Sequence, residues 1–65
     1  DVTLKIYNVL GKQICTLVQR RLDQGAHHFH WDGLDDYQTP VASGLYFYKL
    51  TAGEHQQTRR MMLMR

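Results

Sequence analysis

Residues 2–18 read VTLKIYNVLGKQICTLV, and the fold turns on how this stretch is read. Val2, Leu4 and Ile6 alternate with Thr3, Lys5 and Tyr7. That is the period of a half-buried strand, because successive side chains on a pleated strand point to opposite faces. The alternation stops at Asn8-Val9-Leu10-Gly11, where Gly11 is expected to supply a positive φ at the end of a turn. From Lys12 to Val18 the chain returns, with Ile14, Thr16 and Val18 assigned to one face and Cys15 and Leu17 to the other. The stretch therefore predicts a β-hairpin whose second arm carries apolar weight on both faces.

Outward from this hairpin the same period recurs. Residues 19–25 are polar except for Leu22 and end in a glycine, which suits an exposed connection with one apolar residue tucked under the sheet. A third strand is expected at 26–31. A long structured loop rich in Asp, Gly, Thr, Pro and Ser follows at 32–44. Two final strands, at 45–51 and 55–64, join at Ala52-Gly53. No stretch holds a helical stripe. About five short strands with regularly spaced turn signals predict an antiparallel β-sandwich.

The chain has 65 residues and a net charge of +2. A chain of this size forms one domain at most and buries only about 60% of the surface its unfolded form would expose, so its core is thin. The single Cys15 forms no intramolecular disulfide. No apolar run approaches the ~18 residues of a membrane-spanning helix, so no membrane insertion is expected. The mild charge, with Arg59 and Arg60 inside an apolar alternation, points away from nucleic acid. The first residue is Asp1, with no basic and apolar leader after it, so the chain reads as a piece of a longer protein without an export signal of its own.

The most chemically suggestive stretch is His27-His28-Phe29-His30-Trp31-Asp32-Gly33. On a strand His28 and His30 share one face while His27, Phe29 and Trp31 share the other, so the three imidazoles do not cluster. A closed zinc site would need Cys15 and His55 to converge from other strands. The simpler reading places His28 and His30 on a solvated face and makes Trp31 the anchor of the core. Catalysis finds no constellation either: Ser43 precedes a glycine in a turn, Cys15 lies mid-strand, and neither has a base fixed beside it by sequence. Asp32, Asp35 and Asp36 lack the alternating ligands and closing Glu of a helix-loop-helix calcium site. Asx turns, in which these carboxylates accept loop N–H groups, account for them more simply. No catalytic, cofactor-binding or metal residue is assigned.

Three stretches carry a family resemblance: LKIYNVLGKQICTL (4–17), GAHHFHWDGLDD (25–36) and VASGLYFYKLTAGEHQQTRRMMLMR (41–65). Together they resemble the C-terminal sorting domain of the type IX secretion system of Bacteroidetes-like bacteria, and also the closely related immunoglobulin-like (Ig-like) domain of the flagellar hook-capping protein. The most specific pieces are Trp31-Asp32-Gly33, then Ser43-Gly44 leading into Tyr46 and Tyr48, and the ending with Arg59, Arg60, Met61, Leu63 and Arg65. The resemblance implies a small Ig-like β-sandwich with no enzymatic activity and no cofactor. As a sorting domain it would sit at the end of a secreted protein and be read by the outer-membrane secretion machinery, with an upstream cargo domain on the same polypeptide. Passage would be through the periplasm to the cell surface or the medium. As a hook-cap-type module it would pack on a neighbouring domain or assemble. Exposed Tyr37, Tyr46 and Tyr48 would suit a third role, sugar binding.

Two departures from the family pattern matter. Where relatives carry a glycine in the loop at 35–40, Tyr37 or Gln38 stands here. The family's strand before LKIYN is also absent, so the sandwich is expected to lack an N-terminal edge strand and to offer an edge for strand pairing or dimerisation. Arg59, Arg60 and Arg65 are the candidate recognition residues, with Met61 and Leu63 holding their strand in place. Equally, these arginines could serve only to keep an edge strand soluble.

Overall fold

A computed structural model of the chain describes residues 1–21 and 28–64. The protein is all-β. Its described strands are β1 (Val2–Tyr7), β2 (Gln13–Arg20), β3 (Gly44–Ala52) and β4 (His55–Leu63). They form one antiparallel sheet in the order β2-β1-β3-β4, consistent with a fragment of a small Ig-like β-sandwich. Among the described residues four strands stand where about five were expected. Of the expected third strand, residues 28–31 are not strand and 26–27 lie outside the described residues.

Both hairpins follow from local chemistry. Asn8 Oδ1 accepts from the N–H groups of Leu10 and Lys12, each at 2.9 Å, and Asn8 N–H donates to the Lys12 carbonyl at 3.0 Å. Gly11 closes this turn at φ 81°, a conformation that costs a Cβ-bearing residue about 1 kcal/mol or more. Between β3 and β4, Ala52 pairs with His55, leaving Gly53 and Glu54 as a two-residue loop. Gly53 has φ 61° while Glu54 stays negative, the pattern of a type II′ hairpin turn.

Strict alternation fails in β2, and the failure organises the core. Leu4 pairs with Val18 and Lys5 with Thr16, so Leu17 is skipped; Ile6 pairs with Cys15 and Tyr7 with Gln13, so Ile14 is skipped. Each skip is a β-bulge, which shifts the phase of the side chains. Cys15 and Val18, expected on opposite faces, are both buried, beside Ile6 and Leu4 respectively. The bulged Ile14 packs on the core as well. The sequence expectation of two apolar faces on this strand is corrected accordingly: most of its apolar weight goes to one side.

The core centres on Ile6, which is 1% exposed, with Cys15 and Tyr46 beside it. Trp31 and Val41 come from the segment 28–43, which covers this end of the sheet as a second layer. Trp31 meets Tyr46 edge to face, with centroids 5.1 Å apart and planes at 73°. Its indole Nε1 donates to the Leu34 carbonyl at 2.9 Å. The Tyr46 hydroxyl donates to the Ala42 carbonyl, four residues upstream, at 2.6 Å. That bond has the form of the tyrosine corner of Ig-like sandwiches. Trp31 is half-buried, so the anchor expected from sequence is a flank of the core and Ile6 its centre.

Two substitutions test this packing. Trp31→Ala should cost about 3 kcal/mol, the low end for a core aromatic because the ring is only half-buried. Tyr46→Phe should cost about 1 kcal/mol by leaving the Ala42 carbonyl without its donor. Urea unfolding of each variant measures both; a Trp31→Ala midpoint equal to the parent's would show that the second layer does not depend on the indole.

Candidate interaction site

The sheet face on which the core sits is only partly covered by the described residues. Opposite pairs Leu4–Leu50 and Ile6–Tyr48 share that face, because directly paired residues of antiparallel strands project to the same side. Beyond the edge of the covering segment they floor an open groove of about 360 Å³. Its walls are Leu17 from β2, Phe29 and Trp31 from the crossing segment, and Met61 from β4. His28 and His30 point away and are exposed, as expected of a solvated face, while Phe29 and Trp31 are half-buried. Residues 28–31 thus keep the alternating exposure of an extended segment, although they are not part of a described strand. The lining side chains are apolar except for the Tyr48 hydroxyl and the Trp31 indole N–H, so the larger part of the groove surface is apolar.

The acidic loop is a structural device. Asp35 Oδ1 accepts from Tyr37 N–H at 2.9 Å and Thr39 N–H at 3.0 Å, and Asp32 Oδ1 accepts from Leu34 N–H at 3.3 Å. These are the Asx turns read from the sequence. Leu34 and Pro40 form an isolated bridge, and Val41 N–H donates to the carbonyl of buried Gly33 at 3.0 Å. Gln38 sits at φ 64°, a left-handed conformation uncommon for a residue that carries a Cβ. Among the described residues no three of His, Cys, Asp or Glu gather as metal ligands.

Asp36 has a separate role. Its Oδ1 accepts from Thr16 N–H at 3.0 Å and its own N–H donates to the Ile14 carbonyl at 3.2 Å. It thereby satisfies the outward backbone groups of β2 at the bulge and blunts that edge of the sheet.

At the other edge, β4 has β3 as its sole neighbour among the described strands. Met61 and Leu63 pack on the core, as the sequence reading expects. Arg59 and Arg60 are both exposed, but they do not form one cluster. Arg59 lies opposite Tyr48 on the groove side, and Arg60 lies opposite Phe47 on the outer face. With the Gln57 amide oxygen turned toward it, Arg59 donates through Nε at 2.7 Å and Nη2 at 2.6 Å. Arg65 lies outside the described residues. Of the other motif residues, Ser43 is exposed, Gly44 opens β3 opposite Leu63, and Tyr37 stands out in solvent. Tyr46 is committed to the core and Tyr48 to the groove, so the three tyrosines form no common platform.

Cys15 is the one buried thiol among the described residues. Burial raises its pKa most, the carboxylates of Asp36, Asp32 and Asp35 add to the rise, and a hydrogen bond with Trp31 opposes it; the thiol ends at about 11 against an ordinary 9.0. The folded state therefore favours the neutral thiol. Its contribution to stability is complete below about pH 9 and is lost as pH rises through about 11. The stability difference between the parent and Cys15→Ala should accordingly shrink between those two pH values in urea titrations. Iodoacetamide at pH 8 should leave Cys15 unmodified until urea is added; fast alkylation of the folded chain would contradict the buried, uncharged thiol.

Comparison with known proteins agrees with this geometry. No curated protein and no solved structure matches the chain. A family model, the FlgD Ig-like domain, matches residues 1–56. These residues include the hairpin, the crossing segment, the tyrosine-corner bond and the β3–β4 turn, and by that match the chain belongs to the FlgD Ig-like domain family.

Proposed function

We propose that the chain is a non-catalytic Ig-like module that packs, through the groove on its sheet, against a neighbouring folded domain. The setting would be either an assembly of the flagellar hook-cap type or accessory attachment to an enzyme domain. One observation carries the reading: Leu4, Leu50, Tyr48 and Phe29 line an open apolar groove on the face that a sandwich normally covers. Burying such a surface is favourable by about 25 cal/mol for each Å² removed from water. The test compares the chain alone with the chain inside the longer polypeptide that carries it. Docking should shift Trp31 emission to the blue, and Leu50→Lys should abolish that shift while leaving β-sheet circular dichroism intact. Identical Trp31 emission in both settings would overturn the reading.

A second reading is a sorting address at the end of a secreted cargo protein, read by outer-membrane machinery after passage through the periplasm. It is favoured by a specific observation, the exposure of Arg59 and Arg60 on a strand whose Met61 and Leu63 fix it to the core. Fused to the C-terminus of a periplasmic reporter in a host with type IX secretion, the domain should carry the reporter to the surface or the medium. Arg59→Gln with Arg60→Gln should reduce export without unfolding the domain. A folded fusion that stays in the periplasm would discard this reading and leave the first.

A further inference from the structure

We propose that the outer edge of β4 is a docking site for an extended acidic polypeptide segment, which adds to the sheet as a further strand. The site borders the groove at Met61, but it is a backbone edge, and the inference does not depend on the groove's role.

The two edges of the sheet are treated differently. At β2, Asp36 satisfies an outward N–H and an outward carbonyl at the bulge. Along β4, nine residues long, no strand among the described residues pairs on the side away from β3. Residues 55–60 are all exposed, and no proline or bulge interrupts the regular pairing of β3 with β4. Such an edge presents a row of backbone donors and acceptors in the geometry that strand addition uses.

Charge decides what the edge accepts. Glu54 is the only acidic residue between Gly44 and Met64, against Lys49, Arg59 and Arg60. On the outer face Lys5 lies opposite Lys49, and Arg60 lies in the row of Tyr7 and Phe47. Arg59 projects to the other face. A strand laid along β4 therefore meets one guanidinium on each face at adjacent positions, which calls for two consecutive carboxylates. Beyond them it meets Met61, Met62 and Leu63, which call for apolar side chains.

A second copy of the chain is a poor occupant. Antiparallel self-pairing that overlaps the whole of His55–Leu63 is centred on residue 59 and sets Arg59 against Arg59 of the copy. Like charges directly opposite one another destabilise a strand pair. An acidic segment gains where the copy loses.

The experiment uses a capped nonapeptide with two adjacent central glutamates flanked by alternating valine and threonine, titrated into the 65-residue chain and followed by amide chemical shifts. Two control peptides replace the glutamates with lysines, or methylate alternate backbone nitrogens. The acidic peptide should bind with its largest shifts along β4, and affinity should fall as salt screens the charges. Arg59→Gln with Arg60→Gln, checked for an unchanged amide spectrum elsewhere, should weaken binding about three- to tenfold. Binding should be lost with the methylated peptide. Equal affinity for the lysine peptide, retained binding of the methylated one, or no binding of the acidic one would each overturn the proposal. So would a dimer formed through β4 in the absence of peptide.

Discussion

Position of the segment 28–43 over the sheet is the constraint on which the rest depends, and Tyr46 sets it. The ring stands edge to face with Trp31 and the hydroxyl holds the Ala42 carbonyl, so one side chain of β3 grips both ends of the covering layer. Trp31 in turn fixes the Leu34 carbonyl, and the Asx turns at Asp32 and Asp35 shape the loop between. That loop delivers Asp36 to the bulged edge of β2. A chain of 65 residues with one sheet has few other ways to exclude water from Ile6. Loss of the Tyr46 contacts would therefore expose the centre of the core and release the cap on the β2 edge together.

Much of this is legible in the sequence, and the exceptions have physical reasons. Period-two alternation finds β1, β2, β3 and β4 to within a residue or two, because each has apolar residues facing a real core. Asn8 and Gly11 announce their turn, and the acidic residues of the loop announce theirs. Residues 28–31 mislead because side-chain alternation needs only an extended backbone, and they are not assigned to a strand. The bulges at Ile14 and Leu17 carry no glycine or proline to mark them, and their one trace is the excess of apolar residues in β2. Nothing in a glutamine reveals φ 64° at position 38.

The candidate site was legible in part. Alternation alone separates Arg59 from Arg60, since neighbours in a strand face opposite ways, and the register assigns each its partner on β3. The groove was hidden, because its floor and walls come from four parts of the chain: β1, β2, the crossing segment, and the β3–β4 hairpin. What results is a molecule with two different uncovered surfaces, one apolar on a face and one cationic along an edge. Neither requires bound chemistry. The proposed domain packing rests on the first, and the proposed strand addition on the second.

The most direct measurement is the pattern of nuclear Overhauser contacts in the free chain in solution, read at the rings of Trp31 and Tyr46. The account predicts strong cross-peaks between the indole and phenol ring protons, together with an indole N–H that exchanges slowly because it is bonded to Leu34. A chain that shows the ladder contacts of all four strands but no Trp31–Tyr46 cross-peak would contradict it. The covering layer would then be held by something else, and the groove would not have the shape described.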